Sequence, residues 1–148
     1  MAQIYKTART APLIIALMDE ATVLARLRRH WEFAASDQDV SHQIYHDDAV
    51  LEFPQSQERF EGKQNFITWR RQYPARVDFR VRRIRGGGAL WVAELSIRYD
   101  GSPWQCGVSI LEFRDDKVAR ETIYIAEGWQ APEWRAPWRT AWRDESLG

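Results

Sequence analysis

Four clusters in this chain combine residue types and spacing that could do chemistry. Asp47-Asp48 sets two carboxylates side by side, a group used for proton transfer in acid–base catalysis. The pair falls where a predicted helix gives way to a predicted strand. Asp is favoured in such turns because it bonds its own backbone, and the turn is the favoured reading. His42 and His46 stand at i and i+4, the spacing that lets one helical face present two ligands to a metal. A third ligand is not evident, and catalytic zinc needs three from the protein. No metal or other cofactor is therefore expected, and His46 is kept only as a polar group beside a pocket.

Trp134-Arg135, Trp138-Arg139 and Trp142-Arg143 alternate a stacking ring with a cation, a pattern that suits a nucleic-acid groove. Pro132 and Pro137 break any continuous helix there, although Pro137 can start a short one carrying Trp138 and Trp142. Packing of these rings over a pocket mouth or a subunit edge is the favoured reading, and nucleic-acid binding the distant one. Gly86-Gly87-Gly88 follows Arg82, Arg83 and Arg85 but lacks the strand–loop–helix setting of a phosphate loop. It reads as a hairpin turn.

The elements that must position these groups can be read from periodicity. Asp19 is a plausible N-cap for a long helix with Val23, Leu24, Leu27, Trp31 and Ala34 at helical spacing. Residues 36–39 recap a short helix from about Val40 to His46. A strand from Ala49 to Phe53 stops at Pro54, Gln55 to Glu61 is loop, and a third helix runs from Gly62 to Tyr73. The period then drops to two, predicting four strands: Val77–Arg85, Ala89–Tyr99, Trp104–Arg114 and Lys117–Ala126. Helices followed by an antiparallel meander make an α+β signature. Tyr45, Phe53, Phe60 and Trp69 converge in this order on one cavity. Neither face of the strands around Trp91 and Val108 is uniformly polar, so both are expected to be covered, one by helices and the other by a second subunit.

Composition bounds the remaining possibilities. At 148 residues the chain is expected to be one domain, with residues 1–18 an N-terminal extension and 128–148 a tail rich in Trp, Arg and Pro. The 21 basic and 21 acidic residues cancel, which removes any overall electrostatic reason to expect nucleic acid or an anionic membrane. The apolar run Pro12 to Met18 is far short of the ~20 residues of a membrane span and reads as a packed segment. Its flanking Asp19 and Glu20 do not suit a cleaved signal. The single cysteine, Cys106, cannot pair within the chain, and a cytoplasmic setting fits. Eight Trp, six Phe and five Tyr exceed what a core needs, and imply an aromatic cavity, an interface or both.

The segments YHDDAVLEFPQSQERFEG, GVSILEFRDDKVARETIY and AEGWQAPEWRAPW resemble the SnoaL-like branch of the nuclear transport factor 2-like superfamily, over about Ala21 to Trp138. The resemblance implies an α+β cone: three helices packed in a strongly curved, mainly antiparallel sheet with one pocket, commonly dimeric through the sheet's outer face. Its members include isomerases, polyketide cyclases, dehydratases, epoxide hydrolases and binding proteins without chemistry, so the fold does not decide function. Against the ketosteroid isomerase pattern, Phe53 stands at the general base and Ser109 at the oxyanion-hole acid. The catalytic tyrosine falls at or beside Arg29. With all three roles vacant, that mechanism is argued against.

The same pattern places Glu121, Ile123 and Ile125 on the pocket side of the last strand. Glu121 is the candidate catalytic carboxylate, weighed against an ion pair with Arg98 or Arg120. Glu127 shares its face at the strand's end. The resulting expectation is a pocket for a small, largely apolar molecule, with Tyr45, Phe53, Phe60, Trp69, Trp91, Leu95 and Leu111 as walls. His46, Ser109 and Glu121 are its polar points. The alternative is a cofactor-free isomerase, dehydratase or cyclase in which Glu121 moves a proton and Tyr45 or His46 orients an oxygen.

Overall fold

The first helix, α1 (Glu20–Phe33), begins where Asp19 accepts a hydrogen bond from the Thr22 amide at 2.9 Å and so satisfies one of its open N–H groups. Its buried stripe is Val23, Leu27, His30 and Trp31. The computed structural model describes residues 18–143. The packed segment expected at Pro12–Met18 lies, apart from Met18, outside the described residues. Met18 itself packs against the core.

The short second helix is shorter than its pattern suggested. α2 spans Gln38–Ser41, a 3₁₀ turn covers His42–Ile44, and the first strand, β1 (Tyr45–Phe53), starts at once. His42 and His46 therefore sit on different elements, and the i, i+4 face is lost. β1 also begins earlier than expected because an irregularity in its pairing lies between Tyr45 and Val50 and masks the period-2 pattern. The expected loop at Gln55 to Glu61 contains a 3₁₀ turn (Pro54–Ser56) and a strand, β2 (Glu58–Glu61), paired antiparallel to β1. α3 (Lys63–Arg71) opens at Gly62, whose φ of +88° a side-chain-bearing residue rarely adopts.

The meander follows: β3 (Val77–Gly87), β4 (Leu90–Tyr99), β5 (Gln105–Arg114) and β6 (Lys117–Ala126). The six strands form one curved sheet in the order β2-β1-β6-β5-β4-β3. All neighbours are antiparallel except β1 and β6, which run parallel. The glycine run is mostly strand: Gly86 and Gly87 pair with Trp91 and Leu90, and Gly88, at φ +55°, makes the turn. A Cβ on Gly86 would lie 2.4 Å from the Leu90 carbonyl oxygen and 2.7 Å from the Trp91 Cα, so this position needs glycine for close approach.

One face of the sheet carries the core. Trp91, Ala93, Leu95 and Ile97 of β4, Ser109 and Leu111 of β5, and Val118, Glu121 and Ile123 of β6 are buried against α1 and α3. The opposite face, with Val92, Val108 and Ile110, is half-buried. The tail forms a 3₁₀ segment, Glu133–Trp138, with Pro137 inside it rather than at the start of a helix. Trp134, Trp138 and Trp142 are 71–79% exposed, and Trp142 lies under Arg82 with 4.7 Å from guanidinium to ring centre. Among the described residues no helix is long and apolar enough to cross a membrane.

Candidate functional site

Between α1, α3 and the concave face of the sheet lies a cavity of about 500 Å³, a volume within the usual range for small-molecule sites. Each wall has a local cause. The helical repeat of α1 turns His30 and Trp31 toward the sheet, with Ala34 at its C-cap, and α3 presents Trp69 and Arg70, with Tyr73 just past its end. Pro54 ends β1 and leaves Phe53 at its rim, where Phe53, Phe60 and Trp69 meet at centroid distances of 5.1–6.1 Å. The floor is Leu95, Ile97, Ile123 and Ile125.

Of the ten residues expected at a ligand, four line this cavity: Phe53, Phe60, Trp69 and Leu95. Ile123 and Ile125 are on the pocket side as the pattern indicated. Tyr45, Trp91, Ser109, Leu111 and Glu121 are buried in the core layer and do not contribute to the wall. His46 does not line it and is 2.5 Å from the Arg114 carbonyl oxygen through Nε2.

Glu121 is 0% exposed, flanked across the sheet by Leu51 of β1 and Leu111 of β5. Tyr45 donates a short hydrogen bond to one of its oxygens, and Ser109 donates to the other at 2.7 Å. Neither weighed arginine reaches it: Arg98 pairs with Asp78 at 2.8 Å, and Arg120 with Glu52 at 3.3 Å. Burial, and then the charge of Glu121, hold the Tyr45 hydroxyl well above its ordinary pKa, while Arg70 acts on it in the opposite sense. Tyr45 thus stands between a buried carboxylate and a guanidinium. Asp47 and Asp48 lie within β1 rather than in the expected turn, where both are exposed and pair with Lys63 at 3.0 Å and Arg114 at 2.7 Å.

Two histidines supply what the sequence reading missed. His42 Nδ1 donates to the Gln38 carbonyl at 2.6 Å, and its Nε2 accepts from Arg70 at 2.9 Å. Burial and the Arg70 charge push its pKa down to about 3. A neutral His42 therefore holds Arg70 against the cavity, and the guanidinium also lies 5.3 Å from the Trp69 ring centre. His30 is 3% exposed, and its Nδ1 lies 2.7 Å from the Ser41 carbonyl oxygen. Burial lowers its pKa, with Arg70 adding to the effect and Glu121 opposing it. The signal for His30 was present: it interrupts an apolar helical stripe at i+3 from Leu27, beside the position matched to the isomerase tyrosine. Arg70 carried no local signal, since it follows Trp69 on a helix with a basic last turn.

The cavity therefore has largely aromatic and aliphatic walls with a few polar side chains among them, including the His30 imidazole, the positioned Arg70 guanidinium, Glu58 and Arg76. Such a site can enclose a flat apolar molecule and orient one oxygen. Three further polar atoms on its wall residues, Trp31 Nε1, Trp69 Nε1 and Gln38 Oε1, are enclosed without a hydrogen-bond partner among the described residues.

Solved structures place this architecture. An NTF-2 like protein of unknown function from Burkholderia xenovorans LB400 is 41% identical, covering 84% of this chain and 98% of its own, with a TM-score of 0.79. A putative ketosteroid isomerase from Kribbella flavida is 22% identical over 84% of this chain and 93% of its own, at a TM-score of 0.72. A putative SnoaL-like polyketide cyclase from Shewanella denitrificans is 14% identical over 69% and 88%, at 0.59. The last two show the fold alone. No curated protein matches the chain. Residues 24–121 match the SnoaL-like domain, and with the α+β cone and these neighbours the chain belongs to that family within the NTF2-like superfamily.

Proposed function

We propose that this protein binds a small, largely apolar, ring-containing molecule in the cavity between α1, α3 and the sheet. The observation that carries the reading is the 500 Å³ space walled by Trp31, Phe53, Phe60, Trp69 and Phe79, with a few polar side chains, His30 and Arg70 among them, on its wall. Apolar walls with a few convergent polar groups are the usual composition of small-molecule sites. The enzymatic alternative assigned proton transfer to Glu121. That role asks a group to touch substrate, and Glu121 is enclosed by Tyr45, Ser109 and the flanking leucines instead. A binding site with Glu121 as internal support is the better reading. The proposal includes a homodimer through the outer face of the sheet, supported by its half-buried apolar residues.

Naphthalene, which offers ring area and no polar group, tests the cavity. Titration should change the fluorescence of Trp31 and Trp69 and saturate at one site per chain. Ala34→Phe places a ring into the wall and should abolish the response while circular dichroism is unchanged. Saturable binding that survives Ala34→Phe, or no binding of naphthalene or its derivatives to the parent protein, overturns the reading.

A further inference from the structure

The inner end of the cavity contains a hydrogen-bond acceptor whose state follows from its contacts. His30 Nδ1 faces the Ser41 carbonyl oxygen at 2.7 Å, and a carbonyl only accepts, so Nδ1 carries the proton. The Ser41 hydroxyl lies 3.1 Å from the same nitrogen and donates to the His30 carbonyl at 3.1 Å, which leaves its oxygen free to accept as well. Nε2 is then the bare nitrogen of a neutral imidazole. Among the described residues it has no hydrogen-bond partner, yet it is not one of the enclosed unpartnered atoms; its lone pair meets the cavity that His30 lines. The ring cannot turn this nitrogen away without breaking the Ser41 contacts, and it is wedged edge-on between Trp31 and Tyr45 at centroid distances of 4.6 and 5.5 Å.

A bare acceptor at the end of an apolar cavity selects for a donor. Arg70, also in the wall, can donate to the oxygen that bears that proton. Charge at this end is already balanced within the protein: the Arg70 guanidinium faces the Tyr45 hydroxyl, which donates to Glu121 behind it. An incoming carboxylate would meet the His30 lone pair and the buried Glu121 with no proton to offer. From these contacts we infer that the cavity takes a neutral hydroxylated aromatic molecule, its hydroxyl donating to His30 Nε2 and accepting from Arg70, its rings between Phe53, Trp69 and Ile123. This rests on the binding reading and names the class of ligand.

The probes are naphthalene, 2-naphthol, 2-methoxynaphthalene and 2-naphthoate, titrated at neutral pH, where the naphthol carries its proton. Methoxynaphthalene keeps the oxygen and loses only the donor. In the parent protein 2-naphthol should bind about tenfold or more tighter than 2-methoxynaphthalene, the value of a buried hydrogen bond with its acceptor otherwise left unpaired. In His30→Phe that ratio should fall to about one. Should the variant fail to fold, ¹⁵N spectra of the imidazoles in the parent protein replace it: 2-naphthol should shift the His30 Nε2 resonance and 2-methoxynaphthalene should not. Equal binding of the naphthol and its ether, an unshifted Nε2, or tighter binding of naphthoate overturns the inference while leaving the cavity's role intact. Absence of binding by all four compounds overturns the binding reading itself.

Discussion

Tyr45→Phe isolates the bond on which the buried polar layer depends. The substitution keeps the ring and its edge contacts with His30 and Phe66, at centroid distances of 5.5 and 5.4 Å, and deletes one hydroxyl. Glu121 is then left fully enclosed with Ser109 as its remaining donor, and Arg70 loses the hydroxyl that links it to the carboxylate. A hydrogen bond to a charged group contributes about 1.5–3 kcal/mol, and stranding a buried acceptor lies toward the upper end. We expect a loss of about 2–3 kcal/mol, or roughly 5–10 °C in Tm for a chain of this size. Glu121→Gln removes the charge but keeps an acceptor for Ser109. The double variant should recover at least about 1 kcal/mol relative to additivity, since both single changes break the same contact. Urea denaturation followed by tryptophan fluorescence gives all four stabilities, with a constant m-value confirming that the unfolded state is unchanged. Naphthalene affinity should be unchanged in Tyr45→Phe, because Tyr45 does not line the cavity. A loss below about 0.5 kcal/mol, or an additive cycle, would refute the claim that Tyr45 and Glu121 stabilise the fold through each other.

Gly86→Ala should cost several kcal/mol, because its Cβ meets the backbone of Leu90 and Trp91 at 2.4 and 2.7 Å; Gly88→Ala, with open space around it, serves as the milder control, and equal effects would contradict the packing argument. Stability should fall on acidification below pH 6.5: His30 and His42 have folded pKa values under their unfolded one, so the unfolded chain takes up protons first, at about 1.4 kcal/mol per pH unit for His42, with His30 acting in the same direction. Urea midpoints that match at pH 7 and pH 5 would exclude this, and His42→Gln should reduce the slope. Sedimentation should show a dimer that Val108→Glu on the outer face converts to monomer; a parent protein that is monomeric at high micromolar concentration removes the dimer from the proposal.

Local pattern was enough for much of the architecture. The Asp19 cap, the stripe of α1 and the four meander strands follow from periods of 3.6 and two, which one segment displays without reference to any other. The resemblance to the isomerase pattern likewise put Ile123 and Ile125 on the pocket side before their neighbours were known. β2 was missed because Glu58–Glu61 is short and polar, and becomes a strand by pairing with β1 rather than by propensity. The layering of the site was illegible for a related reason. Tyr45 meets Glu121 across 76 residues, and Arg70 meets His42 across 28, so only the parallel pairing of β1 with β6 and the packing of α3 decide their contacts. A strand pattern tells which face a side chain shares, but not whether that face ends in a cavity or against another residue. For Glu121 the second held, and the wall fell to His30 and Arg70, whose chemistry here depends on neighbours folded against them from other elements.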